Sequence, residues 1–572
     1  MGRYDGLGKS VKQSEVKKIH RELKPTYSNS SPMPGRARRM TTAASGLKVF
    51  KISDMDYLKR FLLTGSTGSL YMNVRTQMDQ HIDFLRSIAS SNRDVGIQAV
   101  CLIEEISVSG RAARNDSALM ALAVMCDSTS LAVRRAAFDA VPRVARTATH
   151  LFEFVGLRRQ IRGLGRGAKR AINSWYLNKS PQDLAYQLAK YRQRNGWTHR
   201  DILRLSRPKN TGLDDDMDAL LGYAVNPQDG AKMVKASQVS PVISAYEELK
   251  NLPHTPEVRS RAIQLITDHR LPFEVLPTEW LNDPQLWAAL LPTMNPEALM
   301  RNLSRMTRLN MFGRGGAANR RIVQQKLSAD NLRRARLHPL KLFVAAKAYD
   351  AGKSRGNQVW TPDPDVTLLL ENAFHDAFQT GQSTGKKIYV GLDVSGSMSY
   401  ICHNPSGDFG HYVSRAKGAV SCYEASAIMA KSLTASEPDC VVTGFSHVMQ
   451  DITREFLGAK DLAETLQEVR KVRMGATNLS LPIEDALANP KYSRTAFDAF
   501  VIFTDNETNV HGVHPQALIE KYRKKVGKNT RFIVVGLIAN RISIADPADP
   551  YMLDIGGFDA AMPKLISEFI AD

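Results

Sequence analysis

The chain has little of what would mark a secreted or membrane-embedded protein. Only five of its 572 residues are cysteines (Cys101, Cys126, Cys402, Cys422 and Cys440), and no two are spaced as C-x-x-C. An odd, sparse set is the usage of reduced thiols, so a disulfide framework is not expected. No apolar run approaches the roughly 18 uninterrupted residues a spanning helix needs. The opening MGRYDGLGKS is polar and basic with no apolar core, and Gly6 stands where a myristoylation signal needs Ser or Thr. These absences point to a protein of the cytoplasm, with no membrane partner.

Catalytic signatures are missing too. There is no H-E-x-x-H, and GLGKS lacks the first glycine of a phosphate loop because Arg3 occupies that position. No nucleophile has an evident attendant histidine. Cys402, His403 and His411 lie close in sequence, but their loop is rich in Gly, Asn and Pro and no fourth zinc ligand is obvious, so they read as loop residues. The expectation is a protein that is not an enzyme.

Acidic residues are scarce in one region only. The chain carries 77 Lys and Arg against 57 Asp and Glu, a net charge of +20. From Lys386 onward there are 20 basic and 22 acidic residues, so the whole excess precedes that point. Such asymmetry joins a polyanion-binding module to a module with another task. A merely solubilising surface is the plainer alternative, but a balanced surface would serve that purpose equally.

What is present divides into three. Residues 1–40 are rich in Lys, Arg, Ser, Gly and Pro, without sustained apolar periodicity, and read as a flexible basic arm. Residues 41–385 hold helical patterns such as DMDYLKRFLLTG, HIDFLRSIASS, IQAVCLIEEIS and AVRRAAFDAVPRVA, separated by turn-length links. Successive Ala-rich helices of this kind suggest an α-solenoid of paired helices. Residues 386–572 change texture: IYVGLDV, CVVTGF, AFVIFTD and RFIVVGLI alternate with helical stretches, the mark of an α/β domain whose parallel sheet is covered on both faces.

The most specific local motif is Asp393-Val394-Ser395-Gly396-Ser397, directly after the strand IYVGL. Its spacing turns a carboxylate and two hydroxyls toward one point at a strand's carboxyl end, where open α/β sheets place ligands. Thr477 in MGATNLS and Asp505 at the end of AFVIFTD supply a third hydroxyl and a second carboxylate. Hard oxygen donors suit Mg2+, with Mn2+ or Ca2+ as alternatives, rather than zinc. The set resembles the metal-ion-dependent adhesion site of von Willebrand A domains. That resemblance implies Ser395, Ser397 and Thr477 as direct ligands, Asp393 and Asp505 binding directly or through water, and one position left for a partner's acidic group.

Further segments narrow the likeness. KYRQRNGWTHRDILRLSRPK, RAINSWY, MRNLSRMTRLN, ARLHPLKLFVAAKAY, FTDNETNVHGVHPQALIEKYRKK and SIADPADPYMLDIGGFD resemble, in order and interval, the Ro autoantigen (TROVE-domain) family over roughly residues 45 to 572. The start departs from that family, with TTAASGLKVFKISDMD in place of its usual glycine-aromatic block. The resemblance implies HEAT-like helical pairs closed into a ring, bridged by the A domain. It implies small structured Y-like RNA on a basic outer face, and single-stranded ends of misfolded RNA in a central hole. It also implies a partnership with an exoribonuclease or another acidic-motif protein at the metal site, in a monomeric ribonucleoprotein.

Within the matching block, His199 stands at a family RNA-binding histidine on the outer surface; a hydrogen-bonded core histidine is the plainer reading. Arg192, Arg194, Arg200 and Arg204 recur at helical spacing around it, near Tyr191 and Trp197. Lys169 and Arg170 open a neighbouring helix and extend the same track, unless they form only a solvated basic face. Trp175 and Trp197 read as core packing. The competing reading of the whole chain is a metal-dependent protein-interaction scaffold with only nonspecific RNA affinity.

Overall fold

The computed structural model describes residues 11–64, 74–208, 214–354, 357–378, 382–399, 401–403 and 420–572, without the side chains of 74–80 and 401–403. Cys402 and His403 sit in a short strand, Ile401–His403, and His411 lies outside the described residues.

From Asp54 to Asp376 the described chain is helical but for one short hairpin, Gln193–Arg194 with Trp197–Thr198. Many helices start on one device, a capping side chain followed by proline. Ser180, Asp283, Asn295, His338 and Asp363 each accept a backbone N–H of the first turn, and the next residue is proline. The side chain satisfies a donor the helix cannot, and proline sits where no N–H is needed. In the first half, each helix packs on its next-but-one neighbour. Arg93–Ser109 lies on Leu131–Val144, Asp116–Met125 on Ala148–Ile161, and Leu131–Val144 on Arg166–Leu177. That stacking of pairs is a solenoid. The inner helix Asp116–Met125 is buried almost all round, which Ala118, Ala121 and Ala123 permit by letting backbones approach.

The C-terminal domain holds a six-stranded sheet. In chain order we label β1 (Ile388–Asp393), β2 (Cys440–Phe445), β3 (Met449–Asp451), β4 (Ala499–Thr504), β5 (Arg531–Gly536) and β6 (Met552–Gly556). The spatial order is β6-β5-β4-β1-β2-β3, parallel except for the edge strand β3. Residues alternate between two cores, as a period of two requires. Val390, Leu392, Val501, Phe503, Ile533 and Val535 join the core that runs on through the helical repeats. Tyr389, Phe500, Ile502, Phe532 and Val534 face a second core on the other side.

That second core corrects one expectation. Residues 11–40 are not a flexible arm. Val11, Val16, Ile19, Met33 and Met40 are buried in it, and helix Gln13–Tyr27 packs on helix Leu481–Ala488. Strands Met40–Thr42 and Lys48–Lys51 then pair with Ile542–Ser543 in a three-stranded antiparallel sheet. The apolar residues of this segment are too widely spaced to show a period, yet each fills the face of a sheet nearly 500 residues away in sequence.

The helical path begins and ends on the A domain, which closes it into a ring. Helix Asp54–Thr64 lies against β6, where the buried Arg60 pairs with Asp554 and donates to the Ile542 carbonyl at 2.7 Å. Arg111 grips Asp559 (2.6 and 3.2 Å). On the far side His338 bonds the Phe558 carbonyl (2.9 Å) and Lys347 reaches the buried Glu424 (2.9 Å). Among the described residues no helix is long and apolar enough to cross a membrane.

Candidate nucleic-acid interface and metal centre

The GW block folds as a protruding hairpin followed by a helix. Gln193–Arg194 pairs with Trp197–Thr198 across Asn195 and Gly196, whose φ values of 53° and 75° are both left-handed. Asn-Gly is the pair that tolerates this two-residue turn and matches strand twist. Thr198 then caps helix His199–Ser206: its hydroxyl accepts from Asp201 N (3.2 Å) while Asp201 accepts from Thr198 N (3.0 Å). The capping box sets the helix's phase. His199, Ile202, Leu203 and Ser206 point inward, and Arg200 and Arg204, one turn apart, point outward.

The cations around this helix differ in how they are held. Arg170, on helix Arg166–Leu177, is exposed beside this helix, whereas Lys169 is half-buried. Arg170, Arg200 and Arg204 have no ion pair or side-chain hydrogen bond among the described residues, and Arg194 bonds only the neighbouring Gln193 carbonyl (2.7 Å). Arg192 is fastened instead, its guanidinium bonded to the Tyr246 hydroxyl and lying 5.5 Å over that ring. Arg159 lies 5.3 Å over the half-buried Trp197. Trp175 is core, 1% exposed.

His199 is a correction. It is 4% exposed, not on the outer surface. Its Nδ1 meets the Tyr176 hydroxyl at 2.9 Å and its ring stands edge-on to Phe152. Burial pushes its pKa down to about 4, so the imidazole is neutral and offers no charge to a phosphate. Its place as the first residue of the capped helix turns it inward, which the sequence spacing alone does not reveal.

A second cationic group was invisible in the sequence because its members come from separate helices. Glu297 accepts from Arg301 (3.0 Å) and Lys341 (3.3 Å), and Lys190 stands 3.8 Å from Glu274. Burial and then the Arg336 charge push Arg146 down to about 10, and burial with Arg146 pushes His150 down to about 3. Four cations, Arg146, Lys190, Arg301 and Lys341, thus lie near two carboxylates, Glu274 and Glu297. No local spacing connects positions so far apart.

At the metal centre the structure brings three loops together. Asp393 ends β1, with one carboxylate oxygen accepting from Ser395 N (2.9 Å) and the other from the Thr504 hydroxyl (2.7 Å). The Ser395 and Ser397 hydroxyls are 3.2 Å apart, and the Ser397 hydroxyl supports the Asp505 carboxylate. The Thr477 loop is tied to the Asp505 loop: Thr477 N donates to Asn509 (2.8 Å) and Thr508 donates back to the Thr477 carbonyl (3.1 Å). Gly396 N bonds the Gly475 carbonyl (3.0 Å). Gly475 must be glycine, since a Cβ there would stand 1.8 Å from His447 Nδ1.

The electrostatics fit a hard cation. Asp393 and Asp505 are buried, and no Lys or Arg pairs with either among the described residues. Burial and then the Asp505 charge push Asp393 up to about 7, and burial raises Asp505 as well. Two buried carboxylates without a counter-charge are costly unless an ion compensates them. Nearby Glu507, 6% exposed, is also pushed up to about 8 by burial and then the Asp505 charge, and sequence reading did not single it out. No cluster of three His, Cys, Asp or Glu with metal-binding geometry occurs among the described residues, as expected where hydroxyls supply most donors.

Comparison with known proteins agrees with this architecture. The TROVE domain model matches residues 41–245 and 271–392, and the Ro60 vWA domain model matches residues 387–570. The chain is similar to the RNA-binding protein RO60 of Deinococcus radiodurans, 32% identical over 93% of this chain and 95% of that protein. It is also similar to the RNA-binding protein RO60 of Caenorhabditis elegans, 30% identical over 91% of this chain and 88% of that one. The crystal structure of the Deinococcus radiodurans RO (RSR) protein superimposes with a TM-score of 0.62 at 29% identity, covering 91% of this chain and 99% of that chain.

Proposed function

The chain belongs to the Ro60 family of TROVE-domain proteins, and from that premise we propose that it binds non-coding RNA without acting on it chemically, as a monomer in the cytoplasm. The carrying observation is the row of exposed arginines on the GW hairpin and its flanking helices, Arg170, Arg194, Arg200 and Arg204, none of which pairs with a carboxylate among the described residues. Guanidinium groups already free of internal carboxylates are ready for phosphate. Structured small RNA of the Y type docks there. Lys169 and Arg192 border the row, Arg192 held in place by Tyr246. His199 acts from beneath, bracing the helix that carries Arg200 and Arg204.

The second group, Arg146, Lys190, Arg301 and Lys341, takes the single-stranded end of a misfolded RNA. Cations gathered from separate helices of a ring suit the backbone of one strand, a selection by shape rather than by base. Asp393, Ser395, Ser397, Thr477 and Asp505 hold a divalent ion, Mg2+ first among candidates. When bound, the ion supplies a Lewis-acidic position for an acidic side chain of a partner protein, such as a processing exoribonuclease. Together these parts make a scaffold for RNA quality control.

A second reading keeps the metal site and demotes the RNA: a metal-dependent protein scaffold with nonspecific RNA affinity, favoured by the uncompensated carboxylates. A salt-titrated binding assay separates the two, using a blunt duplex, a duplex with a 3′ tail and a free single strand of equal length. The tailed RNA is expected to bind best and to keep its lead as salt rises. Equal binding that falls away together would sink the RNA reading and leave the scaffold.

A further inference from the structure

A cavity of about 880 Å3 opens at the seam between the helical ring and the A domain, away from the metal loops. Its volume lies in the range of small-molecule sites, roughly 300–1,000 Å3. The ring contributes Arg333 and Arg336, and the A domain contributes Lys564, against one lining carboxylate, Asp376. Arg336 is exposed, and its guanidinium has no hydrogen bond or ion pair among the described residues. Its backbone is fixed in the left-handed region at φ 52°, and it packs closely on Gly110, where a Cβ would come within 2.8 Å of its own. Arg333 and Lys564 have only solvent-exposed partners, Asp330 at 3.2 Å and Glu568 at 3.7 Å, which an incoming anion can displace.

A second observation points to a ligand. Ser432 lines the cavity from helix Cys422–Ser436, is 3% exposed, and its hydroxyl has no hydrogen-bond partner. Buried hydroxyls are nearly always satisfied, and one left unsatisfied beside cations has a ligand oxygen as its natural complement. Leu332, Leu337 and Phe378 form an apolar wall opposite. Cations, a buried hydroxyl and apolar side chains lining one cavity suit a molecule with a phosphate and a flat organic part.

We propose that this seam cavity binds a phosphorylated small molecule of nucleotide size, its phosphate held by Arg333, Arg336 and Lys564 and bonded by Ser432, its organic part against Phe378. The walls come from both regions, and a space of this size suits a compact ligand better than an RNA strand. Because the ligand touches the ring and the A domain at once, its binding stabilises the closed ring.

Isothermal titration calorimetry on the full chain tests this with ADP, inorganic phosphate and adenosine, with and without EDTA. ADP is expected to bind once per chain in EDTA, more tightly than phosphate, with adenosine weakest, and to raise the melting temperature. Lys564→Glu should weaken ADP about tenfold or more, as loss of a charge-assisted bond does, while binding of tailed RNA is unchanged. Ser432→Ala should weaken ADP yet leave the free protein's melting temperature equal or higher. No saturable heat with ADP, binding that vanishes in EDTA, or affinity unchanged in both variants would overturn the proposal. So would full competition between ADP and a single-stranded oligonucleotide that Lys564→Glu does not affect.

Discussion

The two halves of this molecule handle charge in opposite ways. The ring displays cations without a carboxylate partner: Arg170, Arg200 and Arg204 face solvent, unpaired among the described residues. The A domain hides anions without a counter-charge: Asp393 and Asp505 are sealed at the ends of β1 and β4, and no described Lys or Arg pairs with them. An exposed cation costs little, because water solvates it until a polyanion displaces counterions. A buried anion costs much, and is tolerable only where something of opposite charge is supplied. The first arrangement suits a large, diffuse polyanion, and the second suits a small, concentrated cation. Between the halves, Arg60 with Asp554, Arg111 with Asp559 and Lys347 with Glu424 pair across the seam and help to hold the ring shut.

Breaking a seam pair should do the most damage. Arg60 is 1% exposed and satisfies Asp554, the Asn540 side chain and the Ile542 carbonyl. Arg60→Ala should cost about 3–5 kcal/mol, the usual loss when a buried pair is left with one partner. Chemical denaturation reads this, and a loss under about 1 kcal/mol would mean that the seam is not held electrostatically.

The metal site comes next. Saturating Mg2+ should stabilise the wild type by about 2.7 kcal/mol at a hundredfold excess over its dissociation constant. Asp393→Ala should abolish that gain while changing RNA affinity little. If the variant still responds to Mg2+, the ion sits elsewhere. The exposed cations follow. Arg200→Glu with Arg204→Glu should weaken structured RNA by about 30-fold, or about 2 kcal/mol, and flatten the salt dependence by about one unit for each lost phosphate contact. An unaltered salt slope would remove these residues from the interface.

The smallest effect lies in pH. Burial pushes the seam histidine His338 down to about 3, despite its bond to the Phe558 carbonyl. Unfolded, it takes up a proton near pH 6.5, while the folded protein does not until about pH 3. Its stabilising contribution is therefore complete above pH 6.5 and is lost as pH falls, by about 1.4 kcal/mol per unit. His338→Gln should lose less stability than wild type between pH 6.5 and 5. Parallel curves for the two proteins would show that His338 titrates normally.

Much of the site could be read along the chain, and the reasons it could be are local. D-x-S-x-S follows a strand, so backbone geometry alone converges three oxygens; Arg200 and Arg204 are one helical turn apart, so one face carries both. Where the reading missed, distance in sequence or the phase of a helix was responsible. His199 is adjacent to Arg200 yet points the other way, because the Thr198–Asp201 capping box sets which side faces the core. Glu507, two residues past Asp505, is buried with Ser45 beside it, a matter of packing that a motif does not encode.

By itself the sequence determined the order of the parts: helices by their apolar period and Ser-Pro or Asp-Pro starts, strands by their continuous apolar runs, the metal loop by its spacing, and the location of the positive charge. Those properties depend on residues within about ten positions of each other. Only the tertiary structure decided that residues 11–50 belong to the A domain, that Arg146, Lys190, Arg301 and Lys341 gather in one place, and that the ring closes through Arg60, Arg111 and His338. Each of these joins segments far apart in the chain. They are chosen by shape, burial and charge across the finished surfaces, and no local pattern records which distant surface will be met.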